Sequence, residues 1–179
     1  MGDSRMRLAF QIPGKLYWIH NFLSDSQYAR IHRAVHKERK QLKYHSAMGV
    51  WDKVLITNLR PPDRILVDNI FFTFYETLLR HNPIFPIEGK LKYVIHNMKF
   101  GSGINWHDDG SYTYGLTYYL NRRWAGQWGG EFMFRTGSQC GYLPVVGNSL
   151  VIVKAPCEHK VNPVLSSIVP RITIQSFVS

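Results

Sequence analysis

The side chains in this sequence best suited to chemistry are His107, Asp108, Asp109, His159 and Arg171. Two imidazoles and one carboxylate make the ligand set of a facial Fe(II) site, which keeps positions open on the metal. The same donors can hold Zn2+ with one position open. His107 and Asp109 are separated by one residue, and on a strand residues i and i+2 share a face, so both can approach one ion. Asp108 then points away, which makes Asp109 the expected ligand. An HxD pair alone is as readily a neutral surface pair, so its surroundings matter. Small, flexible residues and then Trp106 lead directly into His107, in Phe100-Gly-Ser-Gly-Ile-Asn-Trp. His159 follows the apolar run Leu150-Val-Ile-Val and a turn at Ala155-Pro156. His96, the other histidine of the second half, lies mid-strand and is expected to be packed or solvated.

Arg171 opens the segment Pro170-Arg-Ile-Thr-Ile-Gln and shares a strand face with Thr173. A guanidinium forks onto a carboxylate, and a hydroxyl beside it adds one more hydrogen bond. Together they can hold a dianionic co-substrate next to the metal. Cys157 lies two residues before His159 and reads as an extra ligand, a redox sensor or, more readily, a small buried apolar residue.

The elements that must position these groups change character along the chain. Ser24-Asp25-Ser26-Gln27 is a capping box, and Tyr28, Ile31 and Val35 recur at helical spacing, so a helix is expected from about Asp25 to Lys37. After Pro61-Pro62-Asp63, the series Leu66, Ile70, Phe74, Leu78, with Val67 and Phe71 beside it, predicts a long amphipathic helix ending near Arg80. From there the period shortens. Lys92 to Phe100, Tyr112 to Leu120, Glu131 to Arg135, Ser149 to Lys154 and Arg171 to Val178 are β-branched or aromatic runs separated by Gly, Pro and Asn. The expectation is one α+β domain over residues 1–179. Its first part, to about residue 90, is helical, and about 91–179 form an antiparallel β-roll with the helices on one outer face.

Composition narrows the partners. The net charge of +10, from 22 Lys+Arg against 12 Asp+Glu, suits an anionic partner as well as it suits plain solubility. No run of five Lys/Arg occurs, which weighs against a nucleic-acid footprint. Cys140 and Cys157 are the only cysteines and make no CxxC, so no disulfide framework is expected and a reducing compartment fits. The sequence shows no apolar signal core and no stretch long enough to span a membrane, so a cytoplasmic protein is expected.

His107-x-Asp109, the distal His159 and Arg171-x-Thr173 resemble the 2-oxoglutarate and Fe(II)-dependent oxygenases. Tyr118-Tyr119-Leu120-Asn121, followed by Trp124 and Gly129-Gly130-Glu131, is similar to the YYLN…W…GGE stretch of the prolyl-hydroxylase branch, which includes the hypoxia-sensing enzymes. The resemblance spans about Tyr93 to Ser179 and implies a double-stranded β-helix, or jelly roll. It implies that His107, Asp109 and His159 ligate Fe(II) and that 2-oxoglutarate chelates the metal. Its distal carboxylate is then held by Arg171 with Thr173 and the Tyr119 hydroxyl. O2 takes the last position, and the products are succinate, CO2 and a hydroxylated substrate, with ascorbate as an accessory reductant. The implied substrate is a prolyl residue in a peptide or protein. A small molecule or a nucleic acid is the alternative, the latter from a faint likeness of Ile104-Asn105-Trp106-His107 to the nucleic-acid demethylases. The sequence departs from the family at Phe100, where a Tyr that contacts the co-substrate is frequent, and in the short loop from Phe100 to His107.

Outside this chemistry, a zinc hydrolase and a non-enzymatic jelly-roll binding domain are the competing classes. The hydrolase needs a general base, for which Asp108, Glu131 and Glu158 are nearest in sequence. Of the aromatics Trp106, Tyr112, Tyr114, Tyr118, Tyr119, Trp124 and Trp128, two or three are expected to wall the pocket, the rest forming core. Trp124 is expected to anchor its own loop. Substrate choice is assigned to the loops Gln41 to Arg60 and Asn121 to Trp128.

Overall fold

The structure, a computed structural model, describes residues 5–38, 59, 60, 62–65 and 67–179. In chain order the elements are β1 (Arg7–Ile12), β2 (Leu16–His20), α1 (Asp25–Glu38), β3 (Asp63–Ile65), α2 (Asn69–Arg80), β4 (Leu91–Met98), β5 (Ile104–His107), β6 (Tyr114–Tyr119), β7 (Phe132–Thr136), β8 (Gln139–Leu143), β9 (Ser149–Lys154), β10 (Glu158–Val161) and β11 (Arg171–Val178). A 3-10 turn covers Gly126–Trp128. Of the expected loop from Gln41 to Arg60, only the last two residues are described.

The capping box forms as the sequence requires. The Gln27 amide donates to Ser24 Oγ at 3.3 Å, and the Ser24 amide donates to Gln27 Oε1 at 2.9 Å. Helix α1 buries Ile31 and Val35. Helix α2 starts later than the periodicity predicts. Its N-cap is Asp68, whose Oδ1 accepts from the Phe71 amide at 2.7 Å. Asp63 to Ile65 instead form a strand antiparallel to β4, and Asp63 is anchored there by Lys99 Nζ at 2.9 Å. The buried row of α2 is Phe71, Tyr75 and Leu79, while Ile70 is 74% exposed. Two adjacent apolar rows run along this helix, and a stripe that wide does not itself say which row faces the core.

The N-terminal part is not helical throughout. β1 and β2 form a hairpin that joins the larger sheet through β2 and β9. β1 is an edge strand exposed along most of its length, so it lacks the in–out alternation by which a strand is read from sequence.

Seven strands make one sheet in the order β1-β2-β9-β6-β11-β4-β3, and four make a second in the order β5-β10-β7-β8. Every pairing in both is antiparallel. Side chains on the larger sheet alternate between two cores. Ile95, Leu116, Tyr118, Leu150, Ile152 and Ile174 point outward and pack with both helices. Leu16, Val151, Val153 and Tyr119 point inward and meet Phe132, Phe134 and Leu143 of the smaller sheet. The helices therefore cover one outer face of a double-stranded β-helix, as expected. Among the described residues no helix is long and apolar enough to cross a membrane.

Candidate active site

His107 and His159 face each other across the β5–β10 pairing, their ring centroids 4.3 Å apart. The His107 Nδ1–H donates to the Asn105 carbonyl at 2.8 Å, and the His159 Nδ1–H donates to the Cys157 carbonyl at 2.9 Å. A carbonyl only accepts, so both neutral rings carry their proton on Nδ1 and present the Nε2 lone pair. This is the outer hydrogen bond by which a ligating imidazole is oriented. Burial, then the neighbouring His159, lowers the His107 pKa below its ordinary value, which favours the neutral ring near pH 7. Phe132 stacks on His159 at 5.1 Å and 19° and fixes its plane.

Asp109 reaches the same point by another route. β5 ends at His107, so Asp109 does not share a strand face with it. The turn after β5, closed by the Tyr112 amide donating to the Asp109 carbonyl at 2.7 Å, carries the carboxylate in. Asp109 Oδ1 lies 3.9 Å from His107 Nε2, and Oδ2 lies 3.6 Å from His159 Nε2. The three ligand atoms lie within 4.8 Å of one another. Asp109 Oδ2 rests against Gly115 of β6, where any Cβ would overlap it. Asp108 is exposed and accepts from the Gly110 amide at 2.9 Å. Two neutral nitrogens and one carboxylate fit Fe(II) by donor chemistry, and the glycine cradle leaves the carboxylate the room it needs.

Arg171 lies deeper between the sheets and is fully buried. Nη2 donates to the Tyr119 hydroxyl at 3.3 Å, Nη1 donates to Met98 Sδ at 3.0 Å, and Nε has no partner among the described residues. The guanidinium lies 4.9 Å from the Tyr119 ring centroid. No described carboxylate pairs with it. A buried cation without a carboxylate is costly unless an anion comes to it, which is what a dianionic co-substrate supplies. Thr173 is fully buried and pairs in register with Tyr119. Burial raises the Tyr119 pKa and keeps the phenol protonated, so its O–H can donate to an incoming oxygen. Gly115 and Tyr119 share one face of β6, roughly 13 Å apart along the strand. An extended Arg side chain and a five-carbon dicarboxylate together would span a gap of that length.

The other expectations resolve individually. Cys157 is buried in the inter-sheet core, and burial raises its thiol pKa. His96 is packed rather than solvated. It sits on β4 opposite Thr173, and burial with nearby Arg64 and Arg171 pushes its pKa down to about 3. Phe100 is 59% exposed, and the residue of that segment beside Arg171 is Met98. Trp124 anchors its loop by donating from Nε1 to the Gly129 carbonyl at 2.9 Å. Trp106 lies under Arg135 and Lys160, while Tyr114 and Tyr118 belong to the helix-facing core. Glu158 pairs with Arg135, and Glu131 accepts from Asn162, so two of the three acidic residues suggested as a hydrolytic base are engaged elsewhere. Sequence reasoning missed Gly115, Phe132, Met98 and the inward pair Thr117 and Gln175. A glycine inside a β-rich run was the one signal on offer, since it marks a close approach.

Comparison with known proteins accords with this geometry. The family model of the 2OG-Fe(II) oxygenase superfamily matches residues 93–179. Residues 93–179 belong to that superfamily. The matched stretch contains all three clustered donors together with Arg171, Thr173 and Tyr119. Among solved structures, a Pseudomonas putida prolyl-4-hydroxylase is similar at TM-score 0.70 and 13% identity, over 92% of this chain and 91% of that one. A Trichoplax adhaerens prolyl hydroxylase, in complex with a hypoxia inducible factor peptide fragment, gives 0.72 and 16%, over 93% and 84%. The non-heme, α-ketoglutarate-dependent carbocyclase SnoK of nogalamycin biosynthesis gives 0.62 and 10%, over 92% and 79%. At these identities the likeness is one of fold. No curated protein sequence matches the chain significantly.

Proposed function

We propose that this oxygenase hydroxylates a prolyl residue of a peptide or protein, coupled to decarboxylation of 2-oxoglutarate to succinate and CO2. The observation that carries the reading is the buried Arg171 guanidinium, with no carboxylate partner among the described residues, between the same two sheets as the His107, Asp109 and His159 cluster. In this reading those three side chains hold Fe(II), and the bound metal with O2 supplies the oxidising chemistry. Arg171, Thr173 and Tyr119 hold the distal carboxylate of 2-oxoglutarate and so orient its keto-acid end toward the metal. The apolar inter-sheet walls, Phe132 among them, keep water from the reacting centre. Ascorbate as an accessory reductant belongs to the same reading.

The prolyl assignment is supported by the Tyr118-Tyr119-Leu120-Asn121…Gly129-Gly130-Glu131 stretch and by the prolyl hydroxylases among the similar structures. The zinc-hydrolase alternative gives the buried Arg171 and Thr173 no role, and two of its three candidate bases, Glu158 and Glu131, are engaged by Arg135 and Asn162. The test is succinate release from Fe(II)-loaded protein with 2-oxoglutarate, alone and with proline-containing peptides. The expected result is peptide-stimulated succinate and a peptide heavier by one oxygen on proline. Oxygen on another residue would refute the prolyl assignment. Failure to turn over 2-oxoglutarate with any substrate would refute the oxygenase reading for this chain.

A further inference from the structure

Between the metal cluster and Arg171 lies a pair of polar residues to which the reaction scheme above gives no role. Thr117 on β6 and Gln175 on β11 are directly paired in register, one row from Tyr119 and Thr173 and one row from Gly115 and Phe177. Both are buried on the inward face. Thr117 Oγ1 donates to Gln175 Oε1 at 2.8 Å, and Gln175 Nε2 donates to Thr173 Oγ1 at 3.0 Å.

The direction of these bonds has a consequence. A hydroxyl has one hydrogen to give. Thr117 gives its hydrogen to the amide oxygen, which fixes the amide with its nitrogen toward Thr173. Thr173 receives a hydrogen from that nitrogen, so its own is turned elsewhere. Among the described residues no acceptor meets it. Thr173 shares its strand face with Arg171, at the end of the pocket where an anion is expected.

We propose that Thr117 and Gln175 form a directional relay that orients the Thr173 hydroxyl as a donor to the distal carboxylate of 2-oxoglutarate. Gln175 and Thr117 are positioning residues that act through Thr173. Selection of a dicarboxylate over a 2-oxo acid lacking the distal carboxylate depends on them as well as on Arg171. The inference rests on the reading that Arg171 and Thr173 hold 2-oxoglutarate.

The experiment is calorimetric titration of 2-oxoglutarate into Mn2+-loaded protein without O2, for the wild type, Thr173→Val, Gln175→Leu, Thr117→Val and the double variant Thr173→Val/Gln175→Leu, with KM and kcat measured alongside. Losing a hydrogen bond to a charged group weakens binding about ten-fold or more, which is the expectation for Thr173→Val. Gln175→Leu and Thr117→Val each weaken it several-fold and raise KM for 2-oxoglutarate more than they lower kcat, with Mn2+ affinity unchanged. In the Thr173→Val background, Gln175→Leu then costs no more than about two-fold, because the group it positions is gone. Equal losses from Gln175→Leu in both backgrounds would mean generic packing and overturn the relay, as would no loss in the wild-type background. Wild-type protein that binds Mn2+ but not 2-oxoglutarate would overturn the co-substrate assignment itself. A Thr173→Val loss with no Gln175→Leu effect would overturn the relay alone.

Discussion

Replacing Arg171 by Met should make the ligand-free protein more stable while abolishing its response to co-substrate. Arg171 is fully buried and has no carboxylate partner among the described residues. Burying an ion costs several kcal/mol after relaxation, and replacing buried charges by apolar groups of similar volume is often stabilising by roughly 1–4 kcal/mol. Three local contacts offset this, the weakest of them the donation from Nη1 to Met98 Sδ. The hydrogen bond from Nη2 to Tyr119 contributes about 1 kcal/mol, and the stacking of the guanidinium on the Tyr119 ring contributes about 0.5–2 kcal/mol. Met keeps the volume of the stem that packs beside Gly130, where a Cβ would lie 2.9 Å from Arg171 Cδ. The net gain is on the order of 1–2 kcal/mol. For a chain of this size that corresponds to a rise in the metal-free melting midpoint of roughly 2–8 °C. With metal already bound, 2-oxoglutarate at a hundred times its Kd adds about 2.7 kcal/mol to the wild type and nothing to the variant. The assay is denaturant unfolding with and without the two ligands. If ligand-free Arg171→Met protein is less stable than wild type by more than about 1 kcal/mol, the charge is already compensated within the fold and the reasoning fails.

Gly115→Ala places a methyl where the Asp109 carboxylate rests, so metal affinity should fall by about ten- to a hundred-fold, read by Mn2+ titration; unchanged affinity would mean that Asp109 is not held there. The His96 pKa is about 3 in the folded protein and 6.5 in the unfolded chain, which therefore takes up the proton first as the pH falls. The stability tied to this ring is complete above pH 6.5 and is lost toward pH 3, about 2 kcal/mol of it by pH 5. His96→Gln should flatten the pH dependence of unfolding by that amount; parallel curves for the two proteins would contradict it. On α2, Phe71→Ala should cost about 3–5 kcal/mol. Ile70→Lys should stay within about 0.5 kcal/mol in the same denaturation measurement, and the reverse ranking would show that the other row of the helix is buried.

What the sequence revealed of this fold followed from how strongly each segment is constrained. Ser149–Lys154 and Arg171–Val178 have the bounds that their residues suggest, because both are central strands buried on each face. β1 was illegible because an edge strand leaves its residues free of the alternation that burial imposes. The start of α2 was misplaced because Asp63 to Ile65 serve the sheet edge, a tertiary demand that local periodicity does not record. At the site, residue types and spacing picked out His107, Asp109 and His159, and the structure brings them together. The stated reason for Asp109 was wrong, since a turn rather than a shared strand face delivers it. Phe132 meets His159 only through the pairing of β7 with β10, and Gln175 meets Thr117 only through the pairing of β11 with β6, which no local pattern records; Gly115 left only its glycine as a signal.

The order β1-β2-β9-β6-β11-β4-β3 interleaves segments from opposite ends of the sequence, with β11 wedged between β4 and β6. Such a sheet cannot grow by adding neighbours as they occur along the chain, so contacts between remote segments must close together, which makes assembly slow and concerted. Strand β11, paired on both sides, then has no private route of escape. Amide protons from Ile172 to Phe177 should exchange with solvent only when the whole molecule opens, while those of β1 fray at far lower cost. A binding pocket framed by that strand is consequently as durable as the protein itself.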